Sequence, residues 1–372
     1  MTKVLFLIHD LGQGGAEKVL VNLVNNMDPS RFDITVMALF GGGMNEQFLK
    51  PHIRYIPCFK RMFRGNSHLF KLLTPERLHQ WLIRDRYDIE VSYLEGPSAR
   101  IISGCPHKQT KLVSWIHVEQ HEMKKLSASF RSKREAGECY NRFHQTVCVS
   151  QFVKDDFCGI LDYRKPCTVL YNTVESDAIS ALAREPASEI SDDGTVRLIA
   201  VGSLKESKGY MRLLRIVKRL RDAGYPIRLY ILGIGSLQAA MEQYIDANGL
   251  EKVVTLLGYD TNPYKYVSKC DLFVCASFAE GFSTAATEAL IVGTPVCTVD
   301  VSGMKEMLGD NNEYGIVTDN REEALYEGIK SLLDNPSSLA HYKKQARIRG
   351  KAFQTKETVD AVEKMLAALW EK

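Results

Sequence analysis

Apolar residues along this chain fall into short continuous runs separated by stretches with helical spacing. Val4–Ile8, Asp33–Phe40, Ile89–Leu94, Lys111–Ile116 and Gln145–Ser150 read as strands in the first half. Val196–Val201, Ile227–Leu232, Val253–Tyr259, Asp271–Ala276 and Gly293–Val299 do so in the second. Continuous rather than alternating runs fit strands buried on both faces of a parallel sheet. Between them, positions such as Val19, Leu20, Leu23 and Val24 recur as one face of a helix. From Arg321 onward the chain is helical by pattern, ending in a helix predicted over Thr355–Trp370. The pattern is that of an α/β protein.

Length divides this pattern in two. A chain of 372 residues exceeds one ordinary core. We expect domains over 1–180 and 181–372, joined by a linker within 178–194, a stretch rich in Ala, Glu, Ser and Asp. Apolar content of 45% and charged content of 25% are those of a soluble globular protein. No run approaches the ~20 apolar residues of a membrane span, and the N-terminus reads as a strand rather than a signal peptide. Nine cysteines are scattered without C-x-x-C pairs, which indicates neither a disulfide framework nor a zinc site. The expected location is cytoplasmic.

Chemistry concentrates in Ser277–Glu306, which follows a strand-like run, breaks into small residues and resumes as a helix near Thr284. Ser283 and Thr284 are good N-cap types, and the free N–H groups and dipole of a helix start suit a phosphate. Glu280 and Glu288 frame that start. One could accept hydrogen bonds from sugar hydroxyls and the other from a ribose diol. Taken singly, each is equally a solvated loop acid or a dipole partner.

The phrase E-G-F-S-T-A-A-T-E-A-L, followed by G-T-P-V and S-G-M-K-E, resembles the donor signature of retaining glycosyltransferases of family 4. The resemblance spans nearly the whole chain and is strongest from Val196 to Glu306. It implies the GT-B fold, two facing Rossmann-like domains with a cleft between, and a final helix that crosses back onto the first domain. It also implies that Glu280, Gly281, Phe282, Ser283, Thr284 and Glu288 bind the donor. Gly202–Gly209 resembles the loop in which an arginine and a lysine clamp the donor diphosphate. Lys208 matches the lysine, but Ser203 stands where the arginine is usual, and Lys205 offers only a point charge in its place. Gly258 and Tyr259 end the strand that resembles the one beside the nucleobase.

In the first half, the turn carrying Gly12, Gly14 and Gly15 joins strand to helix and lets a ligand approach the backbone, though an empty tight turn fits equally. The resemblance makes Gly14 and Gly15 neighbours of the donor phosphates or of the acceptor, with Glu17 a helix-dipole partner. His117 lies just past a buried strand, where open α/β sheets bind ligands. Position alone leaves it structural or ligand-facing. The phrase S-W-I-H-V-E looks like the family segment whose histidine reaches the transferred sugar, with Glu119 and His121 as weaker neighbours.

Net charge is only +3, but it is unevenly spread. Arg54–Arg86 carries eight basic and two acidic residues, eight minus two giving +6, interleaved with Phe59, Met62, Phe63, Phe70 and Trp81. Such a mixture fits a surface lying on anionic lipid. It also fits an amphipathic helix pair with one solvated face. No motif accompanies it that would support nucleic-acid binding.

The combined expectation is a retaining glycosyltransferase using a nucleotide-diphosphate sugar, UDP-linked by preference. The acceptor would be a glycan or polyprenyl-linked saccharide in capsule, O-antigen or similar synthesis. His117, Glu280 and Lys208 would carry catalysis. No D-x-D pair is present, so neither metal nor cofactor is implied. Two other readings compete with it. A non-catalytic nucleotide-sugar-binding subunit is compatible with Ser203. A nicotinamide-dependent oxidoreductase would need an acid ending its second strand, which instead ends in Phe40-Gly41-Gly42.

Overall fold

The structure, a computed structural model, describes every residue except Gln13, Glu280, Gly281, Ser302 and Lys372. The chain divides into two units. The first comprises Met1–Val174 and returns with the stretch from Thr355; the second comprises Glu175–Gln354.

Unit 1 is built on a parallel sheet of β1 (Thr2–Ile8), β2 (Phe32–Phe40), β3 (Arg54–Phe59), β4 (Ile89–Ser92), β5 (Lys111–Ile116), β6 (Gln145–Cys148) and β7 (Cys167–Val169). The strand order is β3-β2-β1-β4-β5-β6-β7. Val4–Ile8 is fully buried, which is why its run is continuously apolar. Strand β3 was not foreseen in the basic stretch. It lies at the sheet edge, the position that tolerates Pro57 and the charged Arg54. Inside the unit, His79 bonds Glu90 of β4 at 2.7 Å, pinning the helix Pro75–Leu82 to the sheet.

Unit 2 repeats the plan with β8 (Val196–Val201), β9 (Ile227–Leu232), β10 (Val254–Gly258), β11 (Leu272–Cys275), β12 (Val296–Val299) and β13 (Ile316–Thr318). Their order is β10-β9-β8-β11-β12-β13, again parallel. Its core joins the strand interiors to one face of the helix Tyr210–Asp222, including Leu213, Leu214, Ile216 and Val217.

The stretch expected as a linker is structured. A helix over Ser176–Leu182 packs on the helices Tyr264–Val267 and Thr284–Val292. Asn262 donates to the Leu182 carbonyl at 3.0 Å and Ser268 to that of Ala183 at 2.8 Å. The chain therefore passes between units at Val174–Glu175, earlier than the composition suggested. Helix Thr355–Trp370 belongs to unit 1 and packs on the helix Gly15–Asn26. There Glu363 accepts from the Asp28 N–H at 2.6 Å and from Arg31 at 2.7 Å.

Candidate active site

In doubly wound sheets, ligands bind beyond the carboxyl ends of strands where the order reverses. In unit 2 the reversal lies between β8 and β11, and the loops following these two strands carry most of the predicted donor residues. The loops are joined directly. Phe278 donates its N–H to the Ser207 carbonyl at 2.7 Å. Gly209 has φ 68°, and a Cβ there would lie 1.8 Å from the Ala276 carbonyl oxygen, so only glycine permits the approach.

Lys208 ends the short turn Glu206–Lys208 and is half-buried, its stem near Gly202. Ser203 is exposed, and its carbonyl accepts from the Lys205 N–H at 2.8 Å. The helix Thr284–Val292 begins as the sequence indicated. Ser283 is its extended N-cap and accepts the Ala286 N–H at 3.4 Å; Thr284 is the first helical residue. The Phe282 ring is buried edge-on against Phe353, so only its backbone is offered to a ligand. Glu280 and Gly281 lie outside the described residues, as does Ser302 in the later S-G-M-K-E phrase.

Glu288 is 8% exposed and accepts the Tyr264 hydroxyl at 3.0 Å. Tyr264 carries no motif in the sequence; only packing brings it to Glu288. Gly258 ends β10, an edge strand, at φ 74°, and its carbonyl accepts the Gly233 N–H at 2.7 Å. Tyr259 follows with about half its surface exposed, a ring available for stacking.

Unit 1 reverses between β1 and β4, with β5 next to β4. Gly14 caps and Gly15 opens the helix that follows β1. A Cβ on Gly14 would fall 2.0 Å from a Glu17 carboxylate oxygen, so an acid already covers this helix start. A phosphate there would meet like charge.

His117 emerges from β5 and is 7% exposed. Its ring packs 4.9 Å from Tyr93 and stacks on Trp115. The His117 backbone N–H donates to Glu95 at 3.2 Å, and Glu95 also accepts from the Gln120 side chain at 3.2 Å. Nε2 of His117 is buried with no hydrogen-bond partner among the described residues. Burial pushes the imidazole down to about 3, against a smaller upward pull from its hydrogen bond to the Tyr93 backbone. A neutral ring with an open, desolvated nitrogen can bond a hydroxyl but is no standing cation. Burial raises Glu95 above the usual carboxylate range, opposed by the backbone N–H groups it accepts. His121 is exposed, and Glu119 and His121 face Asp156, whose carboxylate takes the N–H groups of Gln120 and His121.

Two described clusters bring three metal-type ligand atoms within 4.8 Å, His79–Glu90–Cys105 and Glu119–His121–Asp156. In the first, Glu90 is already satisfied by His79 and by the Cys105 thiol. In the second, Asp156 is committed to backbone donors. Neither set contributes to the donor loops.

Two parallel α/β units, each with its candidate ligand loops at the order reversal, are the architecture of GT-B enzymes. A family model for "Glycosyltransferase Family 4" matches residues 13–178, and one for "Glycosyl transferases group 1" matches 183–349. The chain belongs to this glycosyltransferase family, and it is a glycosyltransferase.

A Campylobacter jejuni relative is 28% identical over 98% of this chain and 100% of its own length. It is named N-acetylgalactosamine-N,N'-diacetylbacillosaminyl-diphospho-undecaprenol 4-alpha-N-acetylgalactosaminyltransferase. The lipopolysaccharide core biosynthesis glycosyltransferase LpsD of Rhizobium meliloti is 22% identical over 89% of this chain and 88% of its own. Among solved structures, Anabaena HepE in complex with UDP superposes with a TM-score of 0.77 at 20% identity. The match covers 98% of this chain and 100% of that one, and it shows the shared fold.

Proposed function

We propose that this glycosyltransferase is a retaining enzyme that takes a sugar from a nucleotide-diphosphate donor, UDP-linked in the first instance. It places that sugar on a hydroxyl of a polyprenyl-linked or glycan acceptor during assembly of a cell-surface polysaccharide. The observation that carries this reading is the junction of two loops at the β8/β11 reversal. One bears Lys208; the other leads into the Ser283-capped helix that holds Glu288. The acceptor class is supported by the full-length similarity to the Campylobacter undecaprenol-linked transferase.

In this reading Lys208 and the N–H groups of Ser283 and Thr284 hold the diphosphate as its charge grows. Glu288, oriented by Tyr264, takes the ribose diol, and Tyr259 stacks on the base. Glu280 grips sugar hydroxyls, and His117 bonds the sugar through its open Nε2. The departing phosphate takes the acceptor's proton while the sugar becomes oxocarbenium-like, and the new bond forms on the face the leaving group vacates. The protein supplies orientation and electrostatics rather than a nucleophile. No resident cofactor or metal enters this scheme, so activity should survive EDTA.

The test is a thermal-shift panel of UDP-, GDP- and ADP-sugars. Transfer to a polyprenyl-diphosphate-linked saccharide follows, with the product anomer read by NMR. Stabilisation by one donor and a product of the donor's anomeric configuration are expected. Inversion would refute the retaining step, and indifference to every nucleotide sugar would refute the donor assignment.

We also propose that unit 1 rests on anionic membrane. Met62, Leu72 and Trp81 are exposed among exposed Arg54, Lys60, Arg61 and Arg64. Beside them a pocket of about 370 Å³ is lined by Arg54, Phe59, Trp81 and Arg84, among others. No helix among the described residues is long and apolar enough to cross a membrane. Vesicles containing anionic lipid should retain the protein at low salt and release it at high salt. Retention indifferent to salt, or to lipid charge, would refute this contact.

A further inference from the structure

Four consecutive carbonyls, from the last residue of β11 into the loop after it, are each taken by a side-chain donor. Thr298 donates to Cys275 at 3.1 Å, Arg212 Nε to Ala276 at 2.7 Å, Arg212 Nη2 to Ser277 at 2.9 Å, and Asn320 Nδ2 to Phe278 at 3.4 Å. Arg212 is 2% exposed. Its remaining Nη1 donates to Asn320 Oδ1 at 2.8 Å, and the guanidinium lies 4.2 Å from the centre of the Phe278 ring. None of these hydrogen bonds goes to a carboxylate, so the cation is spent on backbone oxygens. A cation buried at a full desolvation cost and given to loop carbonyls holds one loop conformation against others.

In a trans peptide unit the C=O and the following N–H point in opposite directions. Carbonyls turned onto Arg212 and Asn320 therefore send the N–H groups of residues 277–279 the other way. The Phe278 N–H marks that direction, since it donates to Ser207 in the loop that carries Lys208. The arrangement fixes this loop against the one that carries Lys208, with the Phe278 N–H on the Ser207 carbonyl and the Ala276 carbonyl beside Gly209.

We propose that Arg212, together with Asn320, is a positioning residue for the nucleoside diphosphate. By taking up the carbonyls of Ala276 and Ser277 it holds the loop whose Phe278 N–H bonds Ser207, and through that bond the place of Lys208 beside the phosphates. This rests on the reading that these two loops receive the donor. Arg212 touches no ligand in this scheme; it acts through the loop. The sequence hides it as one arginine among several on an amphipathic helix, whose neighbours Arg215 and Arg219 pair with surface acids Glu322 and Glu323.

The test titrates UDP and, separately, uridine into the full-length protein and into Arg212→Lys and Asn320→Ala, with a thermal melt of each. Lysine keeps the charge but lacks the planar fork that serves Ala276, Ser277 and Asn320 together. Asn320 is exposed, so its truncation leaves the core intact. UDP affinity should fall ~10-fold or more in Arg212→Lys and several-fold in Asn320→Ala, while uridine affinity changes less than about twofold. Variants that bind UDP as the parent does would overturn the proposal. So would variants that lose UDP and uridine in equal proportion, because the role would then be general stability. A parent protein that binds none of UDP, GDP and ADP would instead overturn the donor assignment beneath it.

Discussion

Burial of His117 has a measurable pH signature. Its ordinary pKa of 6.5 falls to about 3 in the folded protein because the ring is desolvated. The unfolded chain therefore binds a proton below pH ~6.5 that the native chain refuses until about 3. Stability from this group is fully present above the unfolded value. It is lost as pH falls through the window, at about 1.4 kcal/mol per pH unit. Between pH 7.5 and 5 the loss attributable to His117 is about 2 kcal/mol. His117→Gln removes the titration while keeping a polar side chain, so the difference between parent and variant isolates it from every shared carboxylate. Hydrogen exchange of the peptide spanning β5, measured in both proteins at both pH values, is the suitable assay, since a two-unit chain need not unfold in one step. The parent should lose about 2 kcal/mol more protection than the variant on acidification. Equal losses would refute the reasoning, as would an imidazole resonance of His117 that titrates near 6.5. A corollary concerns catalysis: kcat/KM should show no inflection near pH 6.5 arising from this residue.

Replacing Lys208 by Ala should weaken donor use by at least ~10-fold in kcat/KM, the scale of a lost charge-assisted contact; unchanged kinetics would remove it from the site. Tyr264→Phe deletes the hydroxyl that Glu288 accepts and should raise the donor KM several-fold with little change in melting temperature, consistent with ~1 kcal/mol for one such bond. A KM equal to the parent's would show that Glu288 needs no such orientation. Deleting the helix Thr355–Trp370 removes the buried Val359, Val362 and Leu366 and the Glu363 contacts with Asp28 and Arg31, and so bares the face of the helix Gly15–Asn26 that it covers. Limited proteolysis should then cut unit 1 well before unit 2; uniform cutting of both would contradict the division of the chain.

How far the sequence carried varied with the kind of signal. Buried parallel strands are continuously apolar, so β5, β8 and the final helix appeared at their observed limits. Strand β3 did not, because an edge strand needs no apolar continuity and accepts both arginine and proline. The Ser283 cap was legible because capping is local, within three residues. Nothing local announced Tyr264 or Asn320, which reach their partners across 24 and 42 positions of chain.

The sequence by itself determined which elements form, how strands and helices alternate, and which short phrases could carry a diphosphate, because periodicity, caps and glycine turns are properties of neighbouring residues. The tertiary structure alone decided that the loops after β8 and β11 lie side by side, since strand order is not written in any one segment. It also decided the state of His117. The same imidazole is a proton carrier in water and a neutral hydrogen-bonding group once Tyr93 and Trp115 enclose it, and that enclosure belongs to packing, not to composition.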